Sequence, residues 1–106
     1  MIKVSFLFDK NKCINGFDFT GHAGFAASGS DIVCAAVSAL VFTTVNSIEK
    51  LTNCVFSVEQ DQEKGHIYFR LKDESDKDAV LLLKSLKLGI EEIQKNYGKK
   101  YIRIEK

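Results

Sequence analysis

Between Gly21 and Leu40 the chain reads GHAGFAASGSDIVCAAVSAL, and the residues with chemistry to offer are gathered there. Cys34 follows Asp31 by three positions, in what the pattern makes the first turn of a helix. A thiol at that place feels the positive end of the helix dipole and the backbone N–H groups that a helix start leaves unpaired. Both favour the thiolate, which is the nucleophilic form. The same N–H groups can donate to an oxyanion when the sulfur attacks a carbonyl. His22 lies twelve residues earlier, at a strand end, and the chain between can fold back so that its imidazole serves as base or ion-pair partner. Gly21, Gly24 and Gly29 give the intervening segment backbone conformations that a mobile flap over a cleft would need. Ser30 or Asp31 is suited to cap the helix, and Asp31 has orientation of His22 or of the loop as its functional reading. Ser38, one turn beyond Cys34 on the same face, can line the site floor.

Each of these residues has a plainer reading. A cysteine in an apolar helix is ordinarily a small core residue. A histidine beside a glycine is ordinarily a turn residue, and Ser38 can simply bond back to a helix carbonyl. The helix-start position, the upstream histidine and the glycine-rich loop together set Cys34 apart from Cys13 and Cys54, which fall in strand patterns as core or edge residues. His66 opens a strand beside a turn and reads as solvated. Gly21-His22-Ala23-Gly24 is no phosphate loop, because no Gly-Lys-Ser/Thr follows. Lys99, Lys100, Arg103 and Lys106 read as a solvated strand edge rather than an RNA contact.

The elements that must position these residues are legible from periodicity. Ile2, Val4, Phe6 and Phe8 alternate with Lys3, Ser5 and Leu7 as a strand, and Cys13 to Thr20 returns as its hairpin partner with a bulge expected at Gly16. From Asp31 to about Leu51, apolar residues recur at three- and four-residue steps over most of the circumference, which predicts a buried helix. Cys54–Gln60 and His66–Lys72 form a second hairpin around Asp61–Gly65. Asp76–Tyr97 is an amphipathic helix with Ala79, Leu82, Leu83, Leu86, Ile90, Ile93 and Tyr97 on one face, stopped by Gly98, and Tyr101–Ile104 is a last short strand. The order ββαββαβ predicts an α+β, two-layer fold: a short, mostly antiparallel five-stranded sheet with two helices.

Composition narrows the classes. The chain has 106 residues, no proline, no low-complexity tract and no repeat, so residues 1–106 are expected to form a single domain. Fifteen basic against fourteen acidic side chains leave a net charge of +1, which argues against a dedicated nucleic-acid binder. Three cysteines without a Cys-x-x-Cys spacing argue against a disulfide framework or a structural zinc site and fit reduced thiols in the cytoplasm. The alternating start is no secretion signal. The nearly uncharged stretch from Ile32 to Ile48 is short for a membrane span, and its Ser38, Thr43, Thr44, Asn46 and Ser47 suit lipid poorly. A soluble, cytoplasmic protein without a membrane or direct nucleic-acid partner is expected.

With these residues assembled, the sequence resembles the ribosomal-processing cysteine protease family, Prp, on Gly21-His22-Ala23, Gly29, Asp31-Ile32-Val33-Cys34-Ala35-Ala36 and Ser38-Ala39. Length and element order agree along essentially the whole chain. The resemblance implies Cys34 as nucleophile and His22 as general base, with Asp31 and Ser38 in supporting positions and no metal or organic cofactor. It further implies a cysteine endopeptidase that removes the N-terminal extension of large-subunit ribosomal protein twenty-seven, cutting after a pair of phenylalanines. A homodimer, with a loop that opens to admit the precursor peptide, is implied as well. The competing reading is a non-enzymatic ribosome-assembly or adaptor protein with Cys34 packed or redox-sensing, the latter weakened by the lack of a nearby resolving cysteine.

Overall fold

The computed structural model describes residues 1–27, 30–73 and 76–105. The first hairpin forms as its alternation requires. Strand β1 (Ile2–Phe8) buries Ile2, Val4 and Phe6 and pairs antiparallel with β2 (Ile14–Thr20). Leu7 pairs with Gly16 but Phe8 with Ile14, so the extra residue is Asn15, immediately before the glycine at which a bulge was expected. The second hairpin joins β3 (Phe56–Asp61) to β4 (His66–Leu71), and the last strand is β5 (Ile102–Glu105). The sheet order is β3-β4-β2-β1-β5. All neighbours are antiparallel except β1 and β5, which are parallel.

Helix α1 (Ile32–Leu51) carries the chain from β2 to β3, and α2 (Lys77–Tyr97) carries it from β4 to β5. The first crossover passes one strand, β4, and the second passes two, β2 and β1, and the two helices pack together on one face of the sheet, where Leu40 seats against Gly89. Asp31 and Asp76 cap the helices with their carboxylates, and the Gly98 N–H closes α2 on the Gln94 carbonyl. The start of α1 and the end of α2 therefore lie where the cap and the stop predicted them, and α2 starts where its pattern began. Phe17 and Phe69, both fully buried on neighbouring strands, stack at 5.1 Å in the middle of the core.

One expectation about α1 is overturned. The helix was expected to be buried over most of its circumference, yet only the stripe Val33, Val37, Val41, Thr44 and Ile48 is buried, and Ile32, Phe42 and Leu51 are exposed. In a two-layer fold a helix has the sheet beneath it and its neighbour beside it, with nothing on its outer face. Its bounds agree with the expected Asp31-to-Leu51 span, so the helix runs beyond the Ile32–Ile48 stretch read as short for a membrane span. At 20 residues α1 is long and apolar enough to cross a membrane, so length does not exclude a span; what distinguishes this helix is that its inner stripe belongs to the core shared with the sheet.

Candidate active site

Asp31 is the organising residue of the site. Oδ1 accepts the N–H groups of Val33 at 3.0 Å and Cys34 at 2.9 Å, which fixes the first turn of α1. Oδ2 accepts the N–H of Phe25 at 3.0 Å and of Ala26 at 3.5 Å. One carboxylate therefore joins the helix start to the loop that precedes it. The loop has two further fastenings. The Ala23 N–H donates to Cys34 Sγ at 3.1 Å, and the Phe25 ring meets Tyr97 and Tyr101 edge-on at 5.8 and 5.1 Å. Gly24 sits in this loop with a left-handed φ of 71° and open space around it. Gly29 lies outside the described residues.

His22 follows Gly21 at the exit of β2. Gly21 is left-handed at φ 97°, and a side chain there would collide with the Met1 carbonyl, so the turn that delivers His22 requires glycine. The Met1 backbone nitrogen donates to the His22 carbonyl and ties this turn to the start of β1. His22, Cys34 and Ser38 stand together at the junction of two lobes of one cleft. One lobe runs between α1, at Val37, Val41 and Phe42, and the β3–β4 turn, while the other lies under the loop beside Gly24, Ala26 and Asp31. The His22 side chain is exposed, and among the described residues no hydrogen bond joins its ring to Cys34.

The electrostatics at the sulfur run against the sequence reading. Burial raises the Cys34 thiol above its ordinary pKa; the Ala23 N–H opposes this, and the neighbouring Asp31 carboxylate raises it further. Nor are the helix-start N–H groups waiting for an oxyanion: Val33 and Cys34 donate to the Asp31 side chain, and Ala35 to its carbonyl. An acidic cap spends both advantages of the helix start, its positive potential and its spare donors. Asp31 itself is held below the ordinary carboxylate range, chiefly by the Cys34 N–H against the cost of burial.

A prediction follows for Asp31→Asn. Its Oδ1 can still cap the helix, but the negative charge that raises the thiol is gone, and an amide NH2 cannot accept from Phe25 and Ala26. The alkylation rate of Cys34 against pH, measured with iodoacetamide in a Cys13→Ser background, should shift to lower pH. The Phe25 and Ala26 amides should exchange with solvent faster than in the parent protein. A profile unmoved or shifted upward would contradict the charge assignment.

Other residues are placed differently from their sequence reading. Ser38 lines both lobes, and among the described residues it makes no bond back to a helix carbonyl, a role taken instead by Thr44, which donates to the Leu40 carbonyl at 2.7 Å. Cys13 is exposed before β2, and Cys54 is buried between α1 and β3. His66, read as solvated, is half-buried on the wall of the cleft with Nε2 2.8 Å from Asp18 Oδ1. Only strand pairing reveals this, because β2 and β4 are adjacent in the sheet but far apart in the chain.

Comparison with known proteins gives this cleft a context. A family model described as cysteine protease Prp matches residues 1–103. The ribosomal processing cysteine protease Prp of Bacillus subtilis is 33% identical over 101 residues, covering 92% of this chain and 90% of that protein. Its Staphylococcus aureus namesake is 31% identical over 98 residues, covering 92% of each. Two crystal structures of the essential ribosomal processing protease Prp from S. aureus superpose on 99% of this chain and 98% of theirs at 30% identity. The one with a covalently linked product peptide has a TM-score of 0.93, and the one with a substrate peptide 0.88.

Proposed function

Because the chain belongs to the Prp family of ribosomal-processing cysteine proteases, we propose that Cys34 and His22 are its own catalytic pair and that residues 1–106 act as one protease domain. The observation that carries this reading is the cleft junction, where a thiol at a helix start and an imidazole at a strand exit line the same two lobes. His22 takes the proton from Cys34, and the sulfur attacks the scissile carbonyl. The C–N bond breaks as imidazolium protonates the leaving amine, and water activated by His22 then hydrolyses the thioester and restores the thiol. Since burial holds the free thiol protonated, pairing with imidazolium is what stabilises the thiolate. The Ala23 N–H, already aimed at the sulfur, supports the thiolate and is the donor placed to meet the oxyanion, while Asp31 and Ser38 position the loop and the cleft floor. The covalently linked peptide on the S. aureus relative supports a covalent route here. The route needs no metal or organic cofactor.

The substrate we propose is the precursor of large-subunit ribosomal protein twenty-seven, cleaved after a phenylalanine pair to release its N-terminal extension in the cytoplasm. No nucleic acid or membrane partner is invoked. The two lobes suit an extended peptide laid across the junction, and the loop carrying Gly24 and Phe25 lifts from Tyr97 and Tyr101 to admit it. The test is incubation with an extended and a truncated ribosomal substrate: a single cut at the phenylalanine pair supports the assignment, and an intact extended substrate defeats it.

We also propose a homodimer. The exposed apolar side chains Ile32, Phe42 and Leu51 of α1 are the kind of surface that a second copy covers. Sedimentation at micromolar concentration should show a species near twice the 11.9 kDa chain mass, and monomer alone would refute it.

A further inference from the structure

The β3–β4 turn supplies a wall of the cleft that the His-loop-Cys signature does not contain. It is built from local bonds: the Lys64 N–H donates to Asp61 Oδ1 at 3.3 Å, and the Gly65 N–H to the Gln62 carbonyl at 3.2 Å. It is pinned to β2 by the 2.8 Å contact between His66 and Asp18, one residue from Gly65. The turn is thus held against the exit of β2, where His22 emerges. At Gly65 the fit leaves no room. A Cβ there would lie 2.7 Å from the Gly21 carbonyl oxygen, 2.9 Å from His22 Cε1 and 3.0 Å from His22 Nε2. The residue is also left-handed, at φ 62°.

We infer that Gly65 is a positioning residue for His22: the imidazole rests in the space that a side chain at position 65 would fill. His22 makes no hydrogen bond to Cys34 among the described residues, so packing against this turn is what limits where its ring can stand. A Cβ cannot be absorbed by shifting a flexible chain end, because one colliding atom is backbone oxygen and the others belong to the ring itself. Reacting groups must be held within a fraction of an ångström, and a displacement of about 1 Å can cost about 10²-fold in rate. The inference rests on the reading of His22 as the base, and its test is arranged to tell the two apart.

The experiment compares the parent protein, Gly65→Ala, Gly98→Ala and His22→Ala by turnover of an extended substrate peptide. Gly98 also has a positive φ, but a Cβ there would meet only the Tyr101 ring, at an ordinary contact distance of 4.0 Å, so it reports backbone strain without a collision. Gly65→Ala should lose about 10²-fold in kcat with KM within about twofold. Gly98→Ala should be destabilised comparably by thermal melting and yet keep the parent kcat. If Gly65→Ala does not fold, Gly65→Asn tolerates the left-handed backbone and still carries the Cβ. In the unaltered protein, a nuclear Overhauser contact between the His22 Hε1 and the Gly65 α-protons should be present, and its absence overturns the inference without any variant. If His22→Ala loses activity while a folded Gly65 variant keeps the parent kcat, the positioning inference fails and the base assignment stands. If His22→Ala keeps full activity, the base assignment itself fails.

Discussion

Cys34→Ala should abolish turnover of an extended ribosomal substrate peptide while leaving the fold and peptide binding in place. The substitution removes the attacking atom, and covalent catalysis has no substitute for it within the cleft. It removes little else. The sulfur is half-buried at the start of α1 and accepts one N–H bond, from Ala23, so the stability cost should be about 1 kcal/mol. Cys34→Ser should be nearly as inactive, because a hydroxyl ionises far less readily than a thiol and this cleft is not built around a strong base for it. Cys13→Ala should change neither rate nor stability appreciably, since Cys13 is exposed, whereas Cys54→Ala acts on stability because its thiol is buried and donates toward the Asp73 carbonyl at 3.3 Å. The measurement is turnover and binding affinity for each variant, side by side. Cleavage by Cys34→Ala would remove the nucleophile assignment.

His22→Ala should lower kcat/KM by about 10²- to 10⁴-fold, the range expected for loss of a positioned acid–base group. The pH dependence of what remains is the informative part. Burial, with the Asp31 carboxylate beside it, holds the Cys34 thiol above its ordinary pKa, so without an imidazolium partner the thiolate is scarce at neutral pH. Below that raised pKa the thiolate fraction grows about tenfold per pH unit, and the residual rate of His22→Ala should climb with it. On the proposed pairing of thiolate with imidazolium, the parent enzyme should depend far less steeply on pH over the same interval. A residual rate that is flat with pH, or falls, would mean that the sulfur is ionised by something other than His22. Asp31 acts in the opposite direction, which leaves the Ala23 N–H and the charge of the N-terminal ammonium as the influences that favour the thiolate.

The elements were readable along the chain because burial imprints its period on the sequence: two in β1 where Ile2, Val4 and Phe6 face the core, and three to four in α2 where Ala79, Leu83, Leu86 and Ile90 do. The Asp31 cap was readable for the same local reason, since it bonds to N–H groups two and three residues away, and Asp76 caps α2 in the same way. The pairing of His22 with Cys34 as a candidate was legible because both bear functional groups at element ends joined by a short glycine-rich loop. Strand order was not. That β5 lies parallel beside β1, or β4 antiparallel beside β2, depends on contacts between segments tens of residues apart, whose registers no local period encodes. The exposed outer face of α1 depends on how many layers cover it rather than on its own apolar residues. The sign of the shift at Cys34 likewise belongs to the tertiary structure, because it is a balance among burial, one N–H from Ala23 and the charge of Asp31. The wall behind His22 is the clearest case. Gly65 lies forty-three positions further along the chain and meets the ring only because β4 pairs with β2 and the His66–Asp18 contact holds the turn in place.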